Sequence, residues 1–149
     1  MAKTSAGAAK ASKTTATGRA PAKKIARATK MPKAVAGAVA AARDKKAEDV
    51  VVLDLQQAAG FTDYFVICTG NNPRQIAAIA DAVREQLKQQ YDERPTLIEG
   101  IDRSGWILLD YFNFVVHVFS RECRSFYGLE RLWGNAERVD IGEEARGRE

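Results

Sequence analysis

The stretch Gly105-Trp106-Ile107-Leu108-Leu109-Asp110-Tyr111-Phe112-Asn113-Phe114-Val115-Val116-His117-Val118-Phe119 constrains this chain most. Nowhere else are β-branched and aromatic residues so dense, and such residues suit pleated strands. Two strands are expected, Trp106–Asp110 and Phe114–Phe119, joined by a tight turn near Phe112-Asn113. Both runs are apolar at nearly every position instead of alternating, which predicts a sheet covered on both faces, with helices on each side.

The rest of the chain supplies such elements. Ala34–Ala47 reads as an Ala-rich helix with Val35, Val39 and Ala42 on one stripe and Gly37 as its weak point. Val50–Leu55 and Asp63–Thr69 read as buried strands. In Gly70-Asn71-Asn72-Pro73, Asn72 suits an N-cap, Pro73 the first helical position, and Gln75 the far side of a capping box. The helix that follows places Ile76, Ile79, Ala80, Val83 and Leu87 inward and Arg84, Glu85 and Lys88 outward, ending near Tyr91. Thr96–Glu99 is a short strand after Pro95, and Gly100–Gly105 a polar loop. Ser120 can cap a last helix, with Phe126, Leu129, Leu132 and Trp133 on its buried side and Gly134 at its end. The order α-β-β-α-β-β-β-α predicts an α/β domain, a mixed β-sheet layered with helices. A length of 149 residues suits one domain. No apolar run approaches the ~20 residues needed to span a bilayer, and no apolar signal core opens the chain.

Charge divides the molecule. The net charge is +4, yet nine Lys and Arg and no acid fall before residue 34, which leaves −5 for the remainder. Residues 1–33 carry no aromatic side chain and almost no large aliphatic one, so a disordered basic arm is expected. Lys23, Lys24, Arg27 and Lys30 would meet rRNA phosphates if the arm binds nucleic acid, with salt-dependent and sequence-blind affinity. A solubilising tail, residues upstream of a start at Met31, and a transit peptide are the other readings. The domain is expected over 34–141 and a flexible charged tail over 142–149.

A catalytic constellation is not assembled by these residues. His117 is the only histidine and sits between two valines in a strand, the context of a buried structural imidazole. Cys68 reads as a small core residue. Cys123 lies beside Arg121 and Arg124, which would lower a thiol pKa, with nothing near to complete a site. Two separated cysteines form no metal or disulfide framework and suit a reducing, cytoplasmic setting. Asp54, Asp63, Glu99 and Asp110 stand near strand ends, where Mg²⁺-dependent phosphoryl-transfer enzymes hold metal, but no D-x-D pair occurs and no serine follows Gly70. At the start of the helix that opens at Pro73 an anion could sit beside Arg74, though plain capping explains the residues. Neither an enzyme, a cofactor nor a metal is expected.

These residues nonetheless form an ordered set. Asp63-Tyr64-Phe65-Val66-Ile67-Cys68-Thr69-Gly70, Pro73-Arg74-Gln75 and Ile79-Ala80-Asp81 resemble the first signature of the ribosomal silencing factor family, also called Iojap-like. Glu99-Gly100, Gly105-Trp106, Leu109-Asp110-Tyr111, Val116-His117-Val118-Phe119 and Phe126-Tyr127-Gly128-Leu129-Glu130-Arg131-Leu132-Trp133 resemble the second. The resemblance spans roughly residues 45–135 in order and spacing. It departs at Phe112-Asn113, where many members carry Gly-Asp, and at Gly128, where a polar residue is common. It implies a nucleotidyltransferase-like fold without catalysis. It also implies binding to the large ribosomal subunit through ribosomal protein number fourteen, blocking subunit joining and lowering translation when nutrients are short. Relatives in organelles act in large-subunit assembly. Within that frame Trp106, Leu108, Asp110 and Tyr111 are the expected ribosomal-protein contacts, Trp106, Leu108 and Asp110 sharing one strand face. Leu108 also fits a core position, and Asp110 a turn cap. An exposed sheet edge or the hairpin face would also allow a homodimer of the free protein, in competition with docking.

Overall fold

The computed structural model describes residues 31–100 and 105–142. Helix α1 (Lys33–Asp44) precedes strands β1 (Glu48–Asp54) and β2 (Tyr64–Thr69). Helix α2 (Pro73–Tyr91), β3 (Leu97–Glu99), β4 (Trp106–Asp110) and β5 (Phe114–Phe119) follow. Two short helices, α3 (Arg121–Tyr127) and α4 (Leu129–Leu132), lead to β6 (Glu137–Arg138). One six-stranded sheet results, in the order β3-β4-β5-β2-β1-β6. Its central pair, β2 with β5, is parallel, and every other pair is antiparallel. The expected mixed sheet layered with helices is therefore present, and both central strands are buried at all six positions.

Helices reach both faces of the sheet as expected, but unequally: the two long ones share one face, and α3 and α4 meet the other through Cys123 and Leu129. α1 and α2 both pack on one face, against Val52, Tyr64, Val66, Cys68, Ile107, Leu109, Phe114, Val116 and Val118. Gly37, expected to be a weak point, lies where the two helices meet: a Cβ there would stand 2.7 Å from the Tyr91 ring. The opposite face gathers Leu53, Leu55, Phe65, Ile67, Val115 and Phe119 under the loop after β1 and the segment around Trp133. No helix of the described residues is long and apolar enough to cross a membrane.

Local sequence explains the boundaries. Asn72 Oδ1 accepts from Gln75 N at 2.8 Å. The Gln75 side chain returns the bond to Asn71 N rather than to Asn72 N, while its Nε2 donates to the Lys45 and Lys46 carbonyls. Gln75 thus ties two loops together instead of closing a simple capping box. Asn72 meets the Gln75 amide with its side chain and the Ile76 amide with its carbonyl, as plain capping requires. Asp92, left-handed at φ 54, ends α2.

The single last helix expected from Ser120 to Gly134 is instead broken. Ser120 caps α3 through Cys123 N, but Gly128 adopts φ 57 and turns the chain. Phe126, before the turn, and Leu132, after it, are exposed at 78% and 69%, against the expected burial, while Trp133 and Leu129 pack on the sheet. β6 was not foreseen, because two residues carry no strand pattern. Met31 packs partly against the core, and the exposed Lys33 opens α1. The remaining arm, with Lys23, Lys24, Arg27 and Lys30, lies outside the described residues, as does the tail after Gly142.

Candidate functional site

On the face away from α1 and α2, alternation along β4 presents Trp106, Leu108 and Asp110 together, as the two-residue period requires. β3 adds Leu97 directly opposite Asp110, and Glu99 directly opposite Leu108. Leu97 is 47% exposed and Glu99 is exposed, while Leu108 and Asp110 are half-buried. Among the described residues the half of this face nearest the β3 edge is therefore open, with two leucines and two carboxylates in adjacent rows.

Tyr111 does not belong to this set. One residue beyond Asp110, it continues the alternation onto the helix-covered face, where it is 4% exposed and stacks on Phe114 at 4.8 Å. Its hydroxyl is buried without a hydrogen-bond partner, and burial pushes its pKa up to about 12. The expectation of Tyr111 as a surface contact is corrected on that ground.

Trp106 is half-buried and packed. Its ring lies 4.5 Å from Tyr127 and 4.9 Å from Phe119, and its Nε1–H donates to His117 Nδ1 at 3.1 Å. Gly105, at φ 78, lets the chain enter β4 beside the Ser120 cap: its carbonyl accepts from Ser120 N, and a Cβ would stand 3.0 Å from Cys123 Sγ. His117 is 3% exposed between Phe65 and Phe119, and burial holds its pKa down to about 3. The imidazole is thus the buried structural group expected. Cys68 is buried too, its thiol pushed up to about 12.

Asp110 serves the hairpin turn, its Oδ1 accepting from Phe112 N at 2.8 Å. Asn113 N donates to the Tyr111 carbonyl, which closes a three-residue γ-turn centred on Phe112 at φ 77. Such a turn is strained for any side chain larger than glycine. Thr62 Oγ1, donating to the Phe112 carbonyl, and Asp63 N, donating to the Asn113 carbonyl, hold it in place. The Phe112 ring is 72% exposed, so it contributes little burial in return. Phe112→Gly is expected to raise stability by about 1 kcal/mol, the relief of strain less the added freedom of the unfolded chain. Urea denaturation checks it; an unchanged or lowered midpoint would show that the ring supports the fold.

The strand-end acids do not converge. Asp54 binds the backbone and amide of Gln56, and Asp110 is committed to its turn three strands away. Among the described residues no group of three His, Cys, Asp or Glu could hold a metal ion. A groove of about 1050 Å³ runs beside β1, but its charges answer one another. Arg124 forms a two-pronged pair with Glu130 at 2.8 and 2.9 Å and also donates to Thr69 Oγ1 and the Asp49 carbonyl. Those bonds hold the Glu130 carboxyl below its usual range. Hydrogen bonds from Asn71 and Arg121 do the same for Glu48. Arg124 carries no local signal of this role, since Asp49 and Thr69 lie far off in sequence.

Comparison with known proteins bears on this arrangement. Residues 28–149 match the family model described as "Ribosomal silencing factor during starvation". A ribosomal silencing factor from Bacillus subtilis (strain 168) is 43% identical over 107 residues, covering 70% of this chain and 87% of that protein. A mouse protein named "Mitochondrial assembly of ribosomal large subunit protein 1" is 33% identical over 94 residues, 61% of this chain and 41% of its own length. A crystal structure of a protein from Chromobacterium violaceum superposes with a TM-score of 0.66 at 30% identity, covering 68% of this chain and 84% of that one.

Proposed function

The chain belongs to the ribosomal silencing factor family, and from that footing we propose that it docks on the large ribosomal subunit through the open half of its sheet face. The partner surface is ribosomal protein number fourteen. A protein seated there stands in the way of the small subunit, so subunit joining fails and translation falls when nutrients are short. The mechanism is steric and asks for no catalysis.

One observation carries this reading. Leu97, Glu99, Leu108 and Asp110 lie side by side on the edge strand β3 and its neighbour β4, with no helix of the described residues over them. Apolar groups beside carboxylates suit a cationic protein surface better than bare RNA, whose phosphates would repel both acids. Trp106 forms the packed inner margin of the patch. The basic arm answers the phosphate problem separately: Lys23, Lys24, Arg27 and Lys30 contact rRNA and raise the rate of encounter in the cytoplasm. A free homodimer through the same face would compete with docking.

Sedimentation with separated subunits, then mixing at joining Mg²⁺ concentrations, tests the proposal. Co-migration with the large subunit alone, and fewer joined ribosomes, is expected. Leu97→Arg is expected to weaken binding at least roughly tenfold with unchanged melting, because it places a cation against a basic partner while pairing with Asp110 opposite. Full binding by that variant would overturn the docking face, and binding to neither subunit the whole reading.

The mouse relative's name favours a second reading, a role in large-subunit assembly on the same surface. Immature large subunits accumulating on deletion would distinguish it.

A further inference from the structure

His117 is an expensive residue for its position. It is 3% exposed, walled by Phe65 at 4.4 Å and by Phe119 in a nearly parallel stack, with Ile67 and Leu108 as its strand neighbours. Its Nδ1 accepts from the Trp106 indole, which places the imidazole proton on Nε2. Nε2 is buried and has no hydrogen-bond partner among the described residues. An orphaned buried donor costs stability that a phenylalanine or leucine of similar bulk would not. The one polar service the imidazole performs is to hold the indole.

The indole in turn reaches outward. Trp106 packs at 4.5 Å against Tyr127, its ring tilted by 47°; Tyr127 is 47% exposed at the end of α3, and Trp106 borders Leu108 on the open face. Without an acceptor at Nδ1, the indole could turn about its side-chain bonds, and Tyr127 would lose the ring it rests on.

We propose that His117 is a positioning residue for docking: through its bond to the Trp106 indole it fixes the inner margin of the binding face, with Tyr127 as the outermost ring of that margin. The inference rests on the docking reading above and names a residue that never touches the partner. It predicts that affinity follows the acceptor rather than the packing. His117→Phe keeps a ring and removes the acceptor; His117→Asn restores an acceptor oxygen close to the Nδ1 position.

The experiment uses the full chain and isolated large subunits. His117→Phe is expected to melt no lower than the parent and to shift the Trp106 indole N–H resonance upfield. It is also expected to bind roughly tenfold more weakly, the size of one lost positioning bond. His117→Asn is expected to recover the resonance and most of the affinity. Should His117→Phe fail to fold, His117→Leu takes its place in the comparison. Parent-like binding by a folded acceptor-less variant overturns the inference, as does equal weakening by the Asn variant. Leu97→Arg separates the two claims: if it abolishes binding while His117→Phe binds fully, the docking face stands and the positioning role falls. If Leu97→Arg binds fully, both fall.

Discussion

Lowering the pH from 6.5 to 3.5 is expected to cost the folded chain roughly 4 kcal/mol through His117 alone, at about 1.4 kcal/mol per pH unit. The imidazole has an ordinary value of 6.5 when exposed and about 3 in the fold, because burial between aromatic rings disfavours its charged form. The unfolded chain therefore takes up a proton that the native chain refuses throughout this window. Acid pulls the equilibrium toward unfolding, and the stability present above pH 6.5 is lost on the way down. Protonation would also turn Nδ1 into a donor facing the Trp106 indole donor, so the bond cannot survive it. Glu48 and Glu130 add their own loss as the pH approaches and passes below 4.5, where their unfolded counterparts become protonated. The interval from 6.5 to about 5.5 lies above the range where these carboxyls titrate and reports His117. Urea unfolding at half-unit pH steps should slope in the parent and run flat there in His117→Asn; equal slopes would remove the assignment.

Arg124→Ala is expected to destabilise the domain by about 3 kcal/mol. Its guanidinium is 12% exposed and fastens α3 and α4 to the ends of β1 and β2 with four hydrogen bonds. Removing it leaves Glu130 with only the more distant Arg138 at 3.5 Å, and strips Thr69 Oγ1 and the Asp49 carbonyl of a donor. Arg124→Lys should recover little, because an ammonium cannot serve a carboxylate fork and two further acceptors at once. Amide exchange should rise first in Arg121–Leu132, before the central strands respond. A loss under about 0.5 kcal/mol would mean that the pair is replaced by water without consequence.

Much of this architecture was legible from local pattern. The hairpin strands and α2 were readable because their signals are local: dense β-formers in one case, and Asn72, Pro73 and a helical apolar stripe in the other. The break at Gly128 was not, because an apolar stripe continues through it, and only the left-handed turn separates Phe126 from the core. Tyr111 was readable in principle, since extending the parity of Trp106, Leu108 and Asp110 by one residue sends it to the covered face. Its place beside the turn hid that. The open half of the sheet was hidden for another reason: apolar strands announce burial, but they do not say which edge a helix will leave bare. The bonds of Arg124 to Asp49 and Thr69, and the pairing of β6 with β1, depend on partners distant in sequence, which no local pattern encodes.

The parallel pair at the centre of the sheet also governs how the molecule can be completed during synthesis. β2 emerges early, but its neighbour β5 follows only after α2, β3 and β4. Until Phe119 has been made, α1 and α2 can cover one face of β1 and β2, yet the Tyr64–Thr69 backbone keeps a row of unpaired amides and carbonyls along its inner edge. Such an edge is a template for any other strand nearby. A chain cut short before that point is therefore not a smaller version of the domain. It lacks the middle of its sheet, and a fragment of that kind exposes a strand edge that the complete chain pairs within itself.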